Sequence, residues 1–181
     1  MTASAAAIAR PENDEYAPYY RRYTELVPEG EIVSTLTQQL KSTLRLLRGI
    51  DEGKANSRYA PGKWSIKELV GHLLDTERVF SYRALRFARG DQTPLSGFEQ
   101  DDYVRGANFQ EGRLVDLATE FEHVRLSNIQ FFKSLSEAAW TRRGSANDSE
   151  VSVRALAHII AGHEAHHIQI LKTRYLGAAA S

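Results

Sequence analysis

The sequence predicts an all-α protein, a four-helix bundle with a long crossover between its second and third helices. Three observations predict it. Four segments repeat apolar residues at three- and four-residue spacing, the stripe of an amphipathic helix. No stretch competes with them by strand-like alternation. Gly and Pro separate the segments, and one of the separations is too long for an ordinary connector.

The first helix is expected from about Glu31 to Ile50, with Val33, Leu36, Leu40, Leu44 and Leu47 on one stripe. The second starts near Trp64. Ser65 is a natural N-cap with Glu68 three residues on, so "SIKE" reads as a capping box, and Gly90 ends the helix. From Gly90 to Gly112 the chain has no periodicity, and a loop of that length either crosses the end of a bundle or covers a site there. The third helix spans about Arg113 to Ala139 on Leu114, Leu117, Phe121, Val124, Phe131, Phe132 and Leu135, and "RRGSANDSE" breaks the chain after it. The fourth runs from about Ser152 to Leu176, with Lys172 and Arg174 in its last turn and Gly177 beyond. Residues 1–15 read as a flexible tail and residues 16–181 as a single domain.

Composition narrows the function. Lys+Arg and Asp+Glu both number 23, so the formal net charge is zero and nothing supports nucleic-acid or anionic-membrane binding as the main task. The chain has no cysteine, which removes disulfides, thiolate ligands and a cysteine nucleophile. No apolar run approaches the roughly 20 residues of a membrane helix, and the start is a poor signal peptide. The cytoplasm is the default compartment.

Four of the six histidines fall in "HIIAGHEAHHIQIL", residues 158–171. At about 100° per residue, His163 and His167 lie in the middle of the apolar stripe with Leu156, Ile159 and Ile170, His166 lies at its edge, and His158 points to the far, solvated side. An i, i+4 pair can reach one ion, and a third ligand must come from another helix. His123 sits off its helix's stripe. His72 fits, sharing a sector with Thr76 and Val79. Three neutral nitrogen ligands with an open position form the catalytic pattern and suit Zn²⁺, Ni²⁺, Cu²⁺ or Fe²⁺. Asp75, one turn from His72, is placed to orient an imidazole, to ligate, or to receive a proton. Asn128, polar amid the third stripe, is either a satisfied core amide or a group lining a substrate pocket. Trp64 and Trp140 read as packing anchors.

"KWSIKELVGHLLDTERVF" followed by "HIIAGHEAHHIQIL" resembles the DinB-like superfamily, also called the DinB/YfiT-like metalloenzymes, from about Tyr19 to Leu176. "RFARGDQTPLSGFEQDDY" looks like a stretch found in one branch of it. The resemblance implies a bundle in up-down-down-up order and a divalent metal, Zn²⁺ or Ni²⁺, held by His72, His163 and His167. It also implies a homodimer and, in several relatives, transfer of a low-molecular-weight thiol to an electrophile. The expectation is therefore a thiol S-transferase acting on a small-molecule thiol and an electrophilic substrate. Phe98 or Tyr103 of the crossover would touch substrate. The alternatives are a metal-dependent hydrolase and a non-catalytic metal-stabilised binding module, the latter with His166 or Asp75 as an extra ligand.

Overall fold

The computed structural model describes residues 8–177. Pro18–Tyr20 form a 3₁₀ turn that runs into a short helix, α1 (Arg21–Thr24). Four long helices follow: α2 (Ile32–Arg48), α3 (Ile66–Ala88), α5 (Leu114–Lys133) and α7 (Val153–Ile170). Between them lie the short helices α4 (Gln100–Gly106) and α6 (Glu137–Trp140) and an antiparallel pair, β1 (Arg143–Ala146) and β2 (Ser149–Ser152). Helix α7 passes into one π-helical stretch, Leu171–Tyr175, closed by Leu176 N–H donating to the Leu171 carbonyl at 3.1 Å.

Side chains start these helices where the sequence places them. The capping box of α3 is complete: Glu68 N–H donates to Ser65 Oγ at 3.2 Å and Ser65 N–H to Glu68 Oε2 at 2.6 Å. Glu31 caps α2 by accepting from the N–H groups of Val33 and Ser34. Helix α5 has no cap of its own. Glu52, held by Lys67 at 2.7 Å, reaches over from the preceding loop and accepts from Leu114 N–H at 3.0 Å.

Each long helix buries its stripe against two others. Helix α3 packs on α5 and α7, α2 packs on the same two, and α2 and α3 sit across the diagonal. The crossover from Gly90 to Gly112 lets the up-down-down-up order close. Its Phe109 ring lies so close to Gly71 that a Cβ there would overlap it. Among the described residues no helix is long and apolar enough to cross a membrane.

Three expectations are corrected. The break after the third helix is not featureless, because Asn147 and Asp148 take positive φ angles of 53° and 57° and turn β1 into β2. The crossover carries α4 and an isolated bridge from Leu95 to Ala146. Of the expected tail, residues 1–7 lie outside the described residues, but Arg10 donates to the carbonyls of Thr24 and Val27 at 2.7 and 2.8 Å. Glu15 is buried, pairs with Arg154, and accepts from Ser152 Oγ, the hydroxyl that also caps α7 by accepting from Ala155 N–H.

Candidate metal centre

Helix α3 carries His72 and α7 carries His163 and His167, and one ligand nitrogen from each lies within 4.8 Å of the others. His72 Nε2 and His163 Nε2 are 3.0 Å apart. The three rings meet edge to face, with centroids 4.5 to 4.9 Å apart. Nitrogens sharing one tetrahedral ion at bonds of about 2.0–2.1 Å stand about 3.3 Å apart, so the triad is close to a ligating arrangement.

The electrostatics favour the ligating form. Burial holds the His72 imidazole down to about 4 and that of His167 to about 3, the latter helped by the neighbouring His72 and His166. Burial, then His167 and His72, hold His163 well below the ordinary histidine range. All three are neutral at pH 7, as metal ligation requires. Thr76 Oγ1 lies 3.5 Å from His72 Nδ1. In the tautomer where Nδ1–H donates to that hydroxyl, the Nε2 lone pair faces His163. His167 Nδ1 is buried and finds no hydrogen-bond partner among the described residues. Geometry, charge state and this uncommitted nitrogen fit a divalent ion.

Aromatic rings fix the imidazoles. Trp64 lies 4.7 Å from His72, and Tyr23 of α1 meets His163 and His166 edge-on at 5.3 and 5.4 Å. Gly162 lets the Tyr23 backbone approach α7, because a Cβ there would fall inside the Tyr23 carbonyl.

Two cavities flank the triad. One of about 330 Å³ reaches His72 and His163 between Tyr20, Phe80 and Phe98. A second of about 320 Å³ reaches His167 between Trp64, Tyr59 and Tyr175. Gln100, at the start of α4, borders both.

Beneath the triad lies a charge network that the sequence reading missed. Arg125 is fully buried and grips Glu77 through Nε and Nη2 at 2.5 and 2.8 Å. Its Nη1 stands 2.6 Å from Glu164 Oε2, and Thr43 Oγ1 donates to the other Glu164 oxygen at 2.5 Å. Burial raises the Glu164 carboxyl against the pull of Arg125. Glu164 follows His163 directly, so α7 turns a ligand toward the cavity and an acid toward the core.

The other expected site residues separate. Phe98 lines the first cavity, whereas Tyr103 packs on Phe98 at 5.1 Å with its own side exposed and does not line it. Asp75 points away from His72 toward Arg78, 3.9 Å off, and Glu120; burial raises its carboxyl and Arg78 opposes this. Thr76 holds the place beside His72 expected of Asp75. Asn128 is a core amide, donating to Glu77 at 3.1 Å, not a pocket residue. His166 stands 5.1 Å from the His167 ring, outside the triad. His158, expected in solvent, is buried with Nδ1–H donating to the Arg154 carbonyl at 2.8 Å, because the segment around Arg10 and Glu15 covers that side of α7. His123 is exposed and Trp140 is buried against Phe132, both as expected.

A helical bundle that brings imidazoles from two helices to the foot of open cavities defines a class, the bundle proteins whose core is arranged to hold a metal ion. The chain belongs to the DinB superfamily, whose family model matches residues 35–171. Among solved structures it is similar to YfiT from Bacillus subtilis, described as a probable metal-dependent hydrolase with an unusual four-helix bundle topology. That match has 13% identity, covers 94% of this chain and 95% of that one, and has a TM-score of 0.64. It is similar to a mycothiol-dependent maleylpyruvate isomerase at 15% identity and TM-score 0.64, over 87% of this chain but only 64% of the isomerase. A DinB-like protein of Bacillus subtilis, YjoA, matches at 22% identity over 83% of this chain and 94% of that one, with a TM-score of 0.59. At these identities the likeness is one of fold. No curated protein sequence matches.

Proposed function

We propose that the protein is a divalent-metal enzyme, with Zn²⁺ or Ni²⁺ held by His72, His163 and His167, that transfers a low-molecular-weight thiol to an electrophilic carbon. The observation that carries this reading is the triad itself: three neutral imidazoles beside open cavities, with no fourth acid or histidine joining them among the described residues. Three protein ligands and an open position are the pattern of catalytic rather than structural sites. An ion there would supply Lewis acidity, lowering the pKa of a coordinated thiol from near 8.5, or of a coordinated water for a hydrolase, toward ionisation at neutral pH.

The chain's own residues supply the rest. The protein has no cysteine, so the nucleophilic sulfur must come from a cosubstrate. Two cavities meeting at the triad suit two organic ligands, whereas hydrolysis needs one. Thr76 orients His72, and Trp64 and Tyr23 keep the imidazoles from rotating away. The thiol loses its proton, its sulfur forms a bond to carbon, and the leaving group departs with the electron pair of the bond it breaks. Glu99 is the one carboxylate lining the first cavity and takes the proton-acceptor role for which Asp75 is not placed.

A hydrolase is the second reading, favoured by the description of YfiT. One experiment separates the two. Metal-loaded protein is given glutathione, bacillithiol or mycothiol with a chlorinated nitroaromatic, and in parallel a panel of esters. We expect chloride release with formation of a thioether for at least one thiol. Ester turnover with no conjugate from any thiol would favour the hydrolase, and silence in both panels a metal-stabilised binding module.

A further inference from the structure

The face of α3 that carries His72 continues along the cavity through Thr76 and Phe80 to Arg83. Eleven residues after His72, Arg83 returns to within about 20° of its direction. Side chains on a helix lean toward its N-terminus, which brings the guanidinium back over the cavity's rings. It lies 5.5 Å from the Phe80 centroid and 6.0 Å from that of Phe98, and both rings line the cavity that reaches the triad.

Arg83 is only 4% exposed; its Nη2 donates to the Ser96 carbonyl at 2.8 Å, and the Tyr20 hydroxyl lies against its guanidinium. The other arginines sunk in the fold have acids: Arg125 has Glu77 and Glu164, and Arg154 has Glu15. Arg83 has none. The charges and hydroxyls that perturb it are those of Tyr20 and Tyr103, and burial depresses its pKa. A buried cation without an anion is costly and unusual in a folded protein.

On the reading that this cavity takes a small-molecule substrate, we infer that Arg83 is the anchor for a carboxylate carried by that substrate. Its planar fork matches a carboxylate in two parallel hydrogen bonds. The cavity's lining carries no cation of its own, and Arg83 stands beside the Phe80 and Phe98 rings of its wall, a single charge that suits a monoanion better than a phosphate dianion. The ligand would run along α3, its reacting end at the triad and its carboxylate under Phe98. Either the thiol or the electrophile can carry that carboxylate, and the two are separated by the test.

Binding decides first. Hydrocinnamate and its neutral amide are titrated calorimetrically into the wild type, Arg83→Met and Arg83→Lys, each with and without Zn²⁺. We expect the wild type to prefer the acid by about tenfold or more, the value of a charged hydrogen-bonded pair. Arg83→Met should lose that preference and keep its affinity for the amide, and Arg83→Lys should retain part of it. Equal affinities in the wild type would overturn the inference. So would a preference that survives in Arg83→Met, which would put the carboxylate on the metal. Should Arg83→Met not fold, the zinc-free wild type decides: acid preference there supports Arg83 and its absence overturns it.

Turnover then assigns the source. Glutathione is compared with its diethyl ester, and a carboxylated benzylic chloride with its methyl ester. The pair whose kcat/KM preference vanishes in Arg83→Met carries the anchored group. No turnover with any pair would count against the transferase, while the calorimetric comparison would still stand for Arg83.

Discussion

His72 Nε2 and His163 Nε2 stand 3.0 Å apart across two helices although 91 residues separate them in the chain. At that distance one nitrogen must donate to the other, or both must face a shared cation. A cation that binds the folded state alone stabilises it. Zn²⁺ or Ni²⁺ at 100 times its Kd should add about 2.7 kcal/mol, read as a rise in Tm that a chelator reverses. The rise should be absent in His72→Ala. An equal rise in that variant would place the ion elsewhere.

Arg125 joins two buried acids from two other helices, so removing it strands both. Arg125→Ala should cost about 3–5 kcal/mol in urea unfolding, because it leaves uncompensated charge in the core. Replacing Arg125, Glu77 and Glu164 together by apolar residues of similar volume should recover most of that loss. A cost below about 1 kcal/mol for Arg125→Ala would mean the acids are not held as ions by this arginine.

Gly162→Ala tests the contact between α1 and α7. Its methyl group would meet the Tyr23 backbone, which cannot swing aside as a side chain can. We expect a destabilisation of about 1–3 kcal/mol. Because Tyr23 braces His163 and His166, metal affinity should fall too. A neutral substitution would show that α1 is free to move.

Acid should unfold the protein in two stages. Burial holds His158 neutral down to about 4, against 6.5 for the free side chain. Between those values the unfolded chain binds the proton and the folded one does not, so stability falls with pH by on the order of 3 kcal/mol and levels off below 4. Glu15 behaves as a depressed carboxylate. Burial pushes it up, but Arg154, Ser152 and the Glu12 N–H pull it down to about 2, so its contribution is complete above 4.5 and is lost as pH falls toward 2. A pH series of unfolding free energies should show the His158→Gln variant losing its share of the upper slope, to which His72, His163 and His167 also contribute, and Glu15→Gln losing part of the lower. Unchanged slopes would refute both assignments.

Much of this was legible in the sequence. Periodicity placed the starts of the four long helices within about two residues and turned His163 and His167 inward together, but the third helix ends at Lys133, six residues before the expected Ala139, and Glu137–Trp140 form the separate α6. What stayed hidden depends on contacts between elements. Arg125 lies on the stripe of Phe121, Asn128 and Phe132, and Glu77 lies between Leu73 and Phe80. A charged residue on one helix's stripe reads as rim, since only a partner on another helix makes its burial tolerable. Three polar residues on facing stripes were the available signal. The hairpin escaped because its strands have four residues each, too short for alternation, although Asn147-Asp148 suits a turn with two positive φ angles. His158 was misplaced because the chain around Arg10 and Glu15, read as a tail, is the layer that covers it.

Metal content tests the central claim most directly. Wild-type protein loaded with Zn²⁺ or Ni²⁺ and freed of excess ion should carry about one ion per chain by mass spectrometry, as a three-histidine site requires. His72→Ala and His163→Ala, with helical circular dichroism intact, should carry almost none. Full occupancy in both variants would contradict the account.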